Sequence, residues 1–287
     1  MIEAPLRRRP VWALFAGPYG IYLAILLVVP LINIAAYSIF TYSPTKIVVL
    51  EATTANFARL WDGYYAQLFL RTMKLALITT VICALLGYPV AYVLARARPA
   101  LMSLGLVLLV LPLMVSTVIR VFGWMVILGR NGLLNQLLAL VGLDPVRIMF
   151  TETAVVIGLV NIMLPFMVLP IMAAIERIPP SLEEAATNLG ASWFQMFRLV
   201  ILPMSYPGLV SGALLVYSDS LSAFVTPVLM GGARIRVIGS QIYDEVLVSF
   251  NWPGAASLAV VVIAATLILV TFALRVSSRA ARLEAPR

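Results

Sequence analysis

Six stretches of this chain run almost free of charge, each about 20 residues or longer, which is what a helix needs to cross a hydrocarbon core of roughly 30 Å. They are residues 11–40, 75–94, 100–119 and 153–175, then 203–233 with Asp219 as its one interruption, and finally 255–274. The pattern predicts an all-α, polytopic membrane protein with spans at about 11–40, 70–95, 100–120, 153–176, 203–228 and 254–275. Pro30 predicts a kink in the first span, and Pro165 and Pro170 predict a break in the fourth. The domain organisation expected is an N-terminal segment 1–10, a membrane domain 11–276 and a tail 277–287. Between spans one and two lies a polar loop, 41–67, with Trp61, Tyr64 and Tyr65 placed like an interfacial aromatic belt. A glycine-rich loop, 120–152, is expected to hold a surface helix.

One polar island, residues 181–203, breaks this apolar sequence. Ser181 with Glu184 three residues on, and Ser192 with Gln195, each read as a capping box, and Gly190 between them reads as a left-handed helix stop. Leu182, Ala185, Ala186 and Leu189 fall on one helical face. The expectation is two short helices, within 181–200, joined by an elbow, with Pro203 opening the next span.

Composition sharpens this picture. The chain is 62% hydrophobic and 11% charged over 287 residues, with a mean hydropathy of +1.03, which excludes an ordinary soluble domain. Its net charge of +8 reflects Arg and Lys flanking the spans rather than a nucleic-acid face. With a cytoplasmic N-terminus, eleven of the 20 basic residues fall on the inner side, concentrated in short loops and termini. That places both termini and the 181–203 island in the cytoplasm. Arg7, Arg8 and Arg9 precede an apolar run too long for a signal-peptide core, so the first span is expected to serve as its own insertion signal.

Little here can carry catalysis. The chain has no histidine and one cysteine, Cys83, which rules out an intrachain disulfide, and no carboxylates cluster. No catalytic or metal-binding residues are expected. Neither Lys46 nor Lys74 stands in a Gly-Lys-Ser/Thr phosphate loop, so any ATP hydrolysis must belong to another polypeptide. Asp219 is the one acidic residue deep in an apolar run, which marks it either for a translocation path or for a solvated position near the membrane surface. Tyr217 and Phe224 stand near it, and Asn161 is a weaker path candidate. Gly208-x-x-x-Gly212 allows close helix packing, within this chain or against a second subunit.

The sequence Glu184-Ala185-Ala186, then Gly190, then Val200-Ile201-Leu202-Pro203 resembles the EAA loop of ATP-binding-cassette (ABC) importer permeases, E-A-A-x3-G-x9-I-x-L-P, with Val200 at the Ile position. Further stretches are similar to the polyamine-importer branch of that family, the first of its two permease subunits. These are Leu86 to Tyr92, Phe122-Gly123-Trp124, Arg130 to Asn135, Leu164 to Pro170, Phe224 to Pro227 with Gly231-Gly232, and Asn251-Trp252-Pro253. The resemblance implies a type I importer permease fold in the bacterial inner membrane. It also implies a second homologous permease, two ATPase subunits that use ATP and Mg, and an extracytoplasmic binding protein. Glu183, Glu184, Ala185, Ala186, Gly190, Trp193, Phe194 and Pro203 would then couple to the ATPase. Asp219, Tyr217, Phe224 and Asn161 would lie on the substrate path. The cargo expected is a small organic solute, above all a polyamine such as spermidine or putrescine. The alternatives are an opine, an amino acid derivative or an aminophosphonate and, in another class, an ion-coupled secondary transporter.

Overall fold

The computed structural model describes residues 11–283; the predicted segment 1–10 and residues 284–287 of the tail lie outside the described residues. Twelve α-helices follow one another among the described residues. Three of them form the hub: α3 (Gly63–Arg96), α7 (Glu152–Glu176) and α10 (Leu202–Ser222) pack on one another more extensively than any other helices. Along α7, Met163, Met167, Ile171 and Ile175 repeat every four residues and are all buried, giving the hub a continuous apolar face. The flanking helices are α1 (Val11–Ser38), α11 (Ile238–Leu247) and α12 (Trp252–Leu283). Helix α1 packs along α12, which packs directly on α10 of the hub, and α11 flanks both α12 and the hub.

Six helical stretches are long and apolar enough to cross a membrane, as expected, at Gly17–Ser38, Gly63–Arg96, Thr117–Leu140, Glu152–Glu176, Trp193–Ser222 and Trp252–Thr271. Several boundaries differ from the sequence reading, the largest difference being the third stretch, which lies at Thr117–Leu140 and not at 100–120. The span expected at 100–120 is broken into α4 (Pro99–Val110), a 3-10 turn (Leu111–Met114) and α5 (Thr117–Leu128), because Pro112 removes a backbone donor and the chain turns extended at Val115. Arg120, read as the start of a loop, lies inside α5. The second span begins at Gly63, so Tyr64 and Tyr65 belong to its first turn. The fifth ends at Ser222, not 228, and gives way to a π-turn at Pro227–Gly231. Helix α12 runs on through residues 277–283 of the expected tail. Pro165 and Pro170, expected to break the fourth span, lie inside a continuous α7.

Two loops hold structure that the hydropathy pattern passed over. In the first, β1 (Phe40–Ser43) and β2 (Ile47–Ala52) pair as an antiparallel hairpin, followed by the short α2 (Ala55–Ala58). In the second, where a surface helix was expected, α6 (Leu133–Leu140) instead belongs to the third apolar stretch, Thr117–Leu140. Asn135 ties that loop down: its amide donates to the carbonyls of Gly129, Arg130 and Val146 and accepts from the Val146 N–H. Near the hairpin, Arg59 and the buried Glu245 of α11 form an ion pair of 2.7 Å, and the Tyr65 hydroxyl donates to the same carboxylate. Gly254 packs so closely there that a Cβ would run into both charged groups.

Candidate functional site

The polar island folds as an elbow at one end of the hub. Helix α8 spans Pro180–Asn188, and α9 spans Trp193–Met196. The first capping box does not form. Pro180, with its φ already helical and no N–H to satisfy, starts the helix one residue early, which puts Ser181 inside it. The second box does form: Ser192 Oγ accepts from the Gln195 N–H at 3.3 Å, and Gln195 Oε1 accepts from the Ser192 N–H at 2.8 Å.

Between the two helices Gly190 takes φ +82°. Its N–H donates to the Thr187 carbonyl at 2.9 Å and the next N–H, of Ala191, reaches back to Ala186 at 3.0 Å. This paired closure is the Schellman motif, so the carbonyls of Ala186 and Thr187 are satisfied and the elbow angle is fixed by backbone bonds. Helix α9 is not the separate short helix expected. It passes through a π-turn (Phe197–Ile201) into α10, giving one continuous rod, Trp193–Ser222, about 45 Å long at 1.5 Å per residue. The wide turn lies just before Pro203, whose missing N–H would otherwise leave a defect in the ladder.

The elbow presents an inverted face. Leu182 and Ala185 are exposed, and Leu189 is 89% exposed, so an apolar stripe looks away from the protein. Trp193 and Phe194, 60% and 62% exposed, extend it. Glu184 is exposed beside this stripe. Glu183 turns the other way. Its carboxylate accepts from Arg96 Nε at 2.7 Å and from the Tyr92 hydroxyl at 2.9 Å, both at the end of α3. Of the eight residues expected to meet an ATPase, Glu183 is thus engaged within the chain, Ala186 packs against the core, and Pro203 lies within the rod.

The path candidates are not brought together. Tyr217 is buried against Ala76 of α3 and Leu221, whereas Asp219, two residues on, is exposed on another face of α10. No hydrogen bond or ion pair engages the Asp219 carboxylate among the described residues. Phe224 stacks on Tyr243, centroids 5.5 Å apart, at the edge of an apolar cavity of about 440 Å³ that Ile238, Ile242 and Ile263 also line. Asn161 is half-buried on α7.

Two features escaped the sequence reading. Tyr88, Tyr92 and Arg96 stand four apart on α3 and all reach the elbow side, a spacing that could have been read as one helical stripe. The other is Arg120, whose Nε and Nη1 are shielded from solvent without a hydrogen-bond partner among the described residues. Only its position within an apolar helix betrays it.

Residues 80–282 match the family described as the binding-protein-dependent transport system inner membrane component. The spermidine/putrescine transport system permease protein PotB of Haemophilus influenzae is 38% identical over 255 residues, covering 88% of this chain and 89% of its own. The Escherichia coli protein of the same name is 38% identical, with 88% and 92% covered. The inner membrane ABC transporter permease protein YdcU of Escherichia coli is 31% identical, with 83% and 79% covered. Among solved structures, a chain of a bacterial alginate ABC transporter, in complex with its alginate pentasaccharide-bound periplasmic protein, superposes with a TM-score of 0.76 at 20% identity, covering 93% of this chain and 94% of its own. A chain of the inward-facing MetNI methionine ABC transporter gives a TM-score of 0.57 at 20% identity over 76% and 99%.

Proposed function

Because this chain belongs to the binding-protein-dependent transport system inner membrane component family, the permeases of ABC importers, we propose that it forms half of a translocation path for a polyamine such as spermidine or putrescine. The observation that carries the coupling role is the outward stripe of Leu182, Ala185, Leu189, Trp193 and Phe194 on a rigid elbow. A helix end so well satisfied, with its apolar side turned out, fits docking into a groove on another protein. That protein is the ATPase, which uses ATP and Mg on its own chain. A second permease and an extracytoplasmic binding protein complete the importer.

We place the elbow and both termini in the cytoplasm. Arg98 lies in the short connection between α3 and α4, Arg177 in that between α7 and α8, and Arg198 in the π-turn after α9, and none of the three forms a salt bridge among the described residues. Free positive charge in short loops is the inner-side signature. On this reading ATP binding closes the ATPase dimer, the elbow moves with it, and the continuous rod Trp193–Ser222 carries the motion across the membrane. Hydrolysis resets the bundle.

A second reading of the cargo rests on Arg120. A cation in an apolar helix with unmet donors favours a solute that carries an anionic group, such as an opine, an amino acid derivative or an aminophosphonate. Thermal stabilisation of the partner binding protein by a panel of these solutes and polyamines separates the two. Stabilisation by spermidine or putrescine alone supports the polyamine; stabilisation by an anionic solute alone overturns it.

A further inference from the structure

Helix α8 is joined through the chain to α7 and, by the elbow, to α10. Helix α3 ends 84 positions before α8 begins, yet side chains at its end reach across to the elbow and to the rod that follows it. Three residues on one face of α3 do this. Tyr88 hydrogen-bonds the hydroxyl of Ser205 in α10 and sets its ring edge-on to Phe197, centroids 5.2 Å apart. Tyr92 donates to Glu183 and meets Trp193 edge-on at 6.4 Å. Arg96 uses its fork twice, Nε to Glu183 and Nη2 to the Ile178 carbonyl at 3.0 Å, in the connection from α7 to α8. Trp193 in turn stacks on Phe197 at 5.5 Å, so the aromatic rings form a continuous row.

We propose that Glu183, Tyr92 and Arg96 form a latch that makes α3 a direct recipient of the elbow's movement. The inference rests on the reading of the elbow as the ATPase contact. The side chains of Arg96 and Glu183 are only 20% and 14% exposed, so their pairing is charge-assisted and weakly screened by salt. Without it, the elbow is tied to the hub through its chain connections to α7 and α10, and a push on its outer face reaches those two helices but not α3. With it, α8 and the end of α3 move as one piece. The division of labour between adjacent carboxylates follows: Glu184 faces the partner, and Glu183 is a positioning residue that faces α3.

The test uses the whole importer, co-expressed with its ATPase and second permease, reconstituted in vesicles and supplied with its binding protein. Co-purification of the ATPase, basal ATP hydrolysis and its stimulation by the binding protein are measured together. Arg96→Gln is expected to keep co-purification and basal hydrolysis but to lower the stimulation by about fivefold or more, the smallest factor typical of a coupling between sites. Tyr92→Phe keeps the ring against Trp193 and should give a smaller loss; it decides the matter if Arg96→Gln does not reach the membrane. The exchange Arg96→Glu with Glu183→Arg should recover stimulation that either single change abolishes. Stimulation unchanged in Arg96→Gln and Tyr92→Phe overturns the latch. So does loss of ATPase co-purification in Glu183→Gln with none in Arg96→Gln, which would turn Glu183 to the partner. Failure of the underlying reading looks different: the unaltered chain would co-purify with no ATPase at all.

Discussion

Gly208 of α10 lies against the backbone of α7 so closely that a Cβ would stand 2.6 Å from the Pro170 carbonyl oxygen. One turn on, a Cβ at Gly212 would stand 3.0 Å from the Met167 carbonyl. The Gly208-x-x-x-Gly212 pair is therefore a contact within this chain, and the neighbours that would have to give way include main-chain atoms of α7 as well as the Ala174 and Met167 side chains.

Gly208→Val should consequently destabilise the protein by about 3 kcal/mol or more, the upper end for overpacking, because α7 cannot yield locally. Gly212→Ala should cost less. Melting of the detergent-solubilised protein would rank the two, and equal melting temperatures for Gly208→Val and the unaltered chain would contradict the packing.

At Gly190 the constraint is conformational instead. A Cβ there meets nothing within 4 Å, but φ +82° costs an L-residue roughly 1–2 kcal/mol. Gly190→Val should bend the elbow and reduce ATPase co-purification while the chain still inserts, and Gly190→Asn, which tolerates this region, should retain more. Identical co-purification for both would remove the elbow from the coupling role.

The Arg59–Glu245 pair gives a third expectation. Glu245 is 5% exposed in its side chain and Arg59 is 25% exposed, so Arg59→Met, which leaves the carboxylate buried without a counter-charge beside the Tyr65 hydroxyl, should cost about 3 kcal/mol, the lower end for such pairs. Arg59→Met with Glu245→Gln should recover part of that loss. A double variant less stable than the sum of the two single ones, measured by thermal unfolding, would show that more than this pair is at stake.

Cargo charge sets the fourth. If a polyamine passes, Asp219→Asn should raise the KM for labelled spermidine several-fold, and Arg120→Gln should leave it unchanged or lower it. The reverse order, Arg120→Gln impairing uptake and Asp219→Asn not, would favour a solute with an anionic group.

How much of this was legible depended on which signal a residue carries. Runs free of charge located α1 and α7 to within two residues, because a bilayer penalises a charge at either end of a span. The same rule misplaced the third span. It stopped at Arg120, although an Arg stem can lie along apolar neighbours when its head turns inward. The hairpin's turn, Pro44-Thr45-Lys46, and the β-branched Ile47-Val48-Val49 were readable, yet hydropathy alone merged them into a loop. Gly190 and the Ser192 box were legible since turn chemistry is local. The direction of Glu183 was not, because a short helix with apolar residues on one side gives no sign that this side faces out.

The position of α1 bears on how the protein is made. Its apolar surface is unburied within this chain apart from its contact along α12, and about 210 residues separate the two helices. At 5–20 residues per second, α1 waits roughly 10–40 s in the lipid before that partner emerges. During this interval α3, α7 and α10 can already assemble, so α1 is anchored last, through α12, rather than nucleating the hub. Its charge-free, strongly apolar sequence suits a segment that must stand alone in the bilayer through most of synthesis.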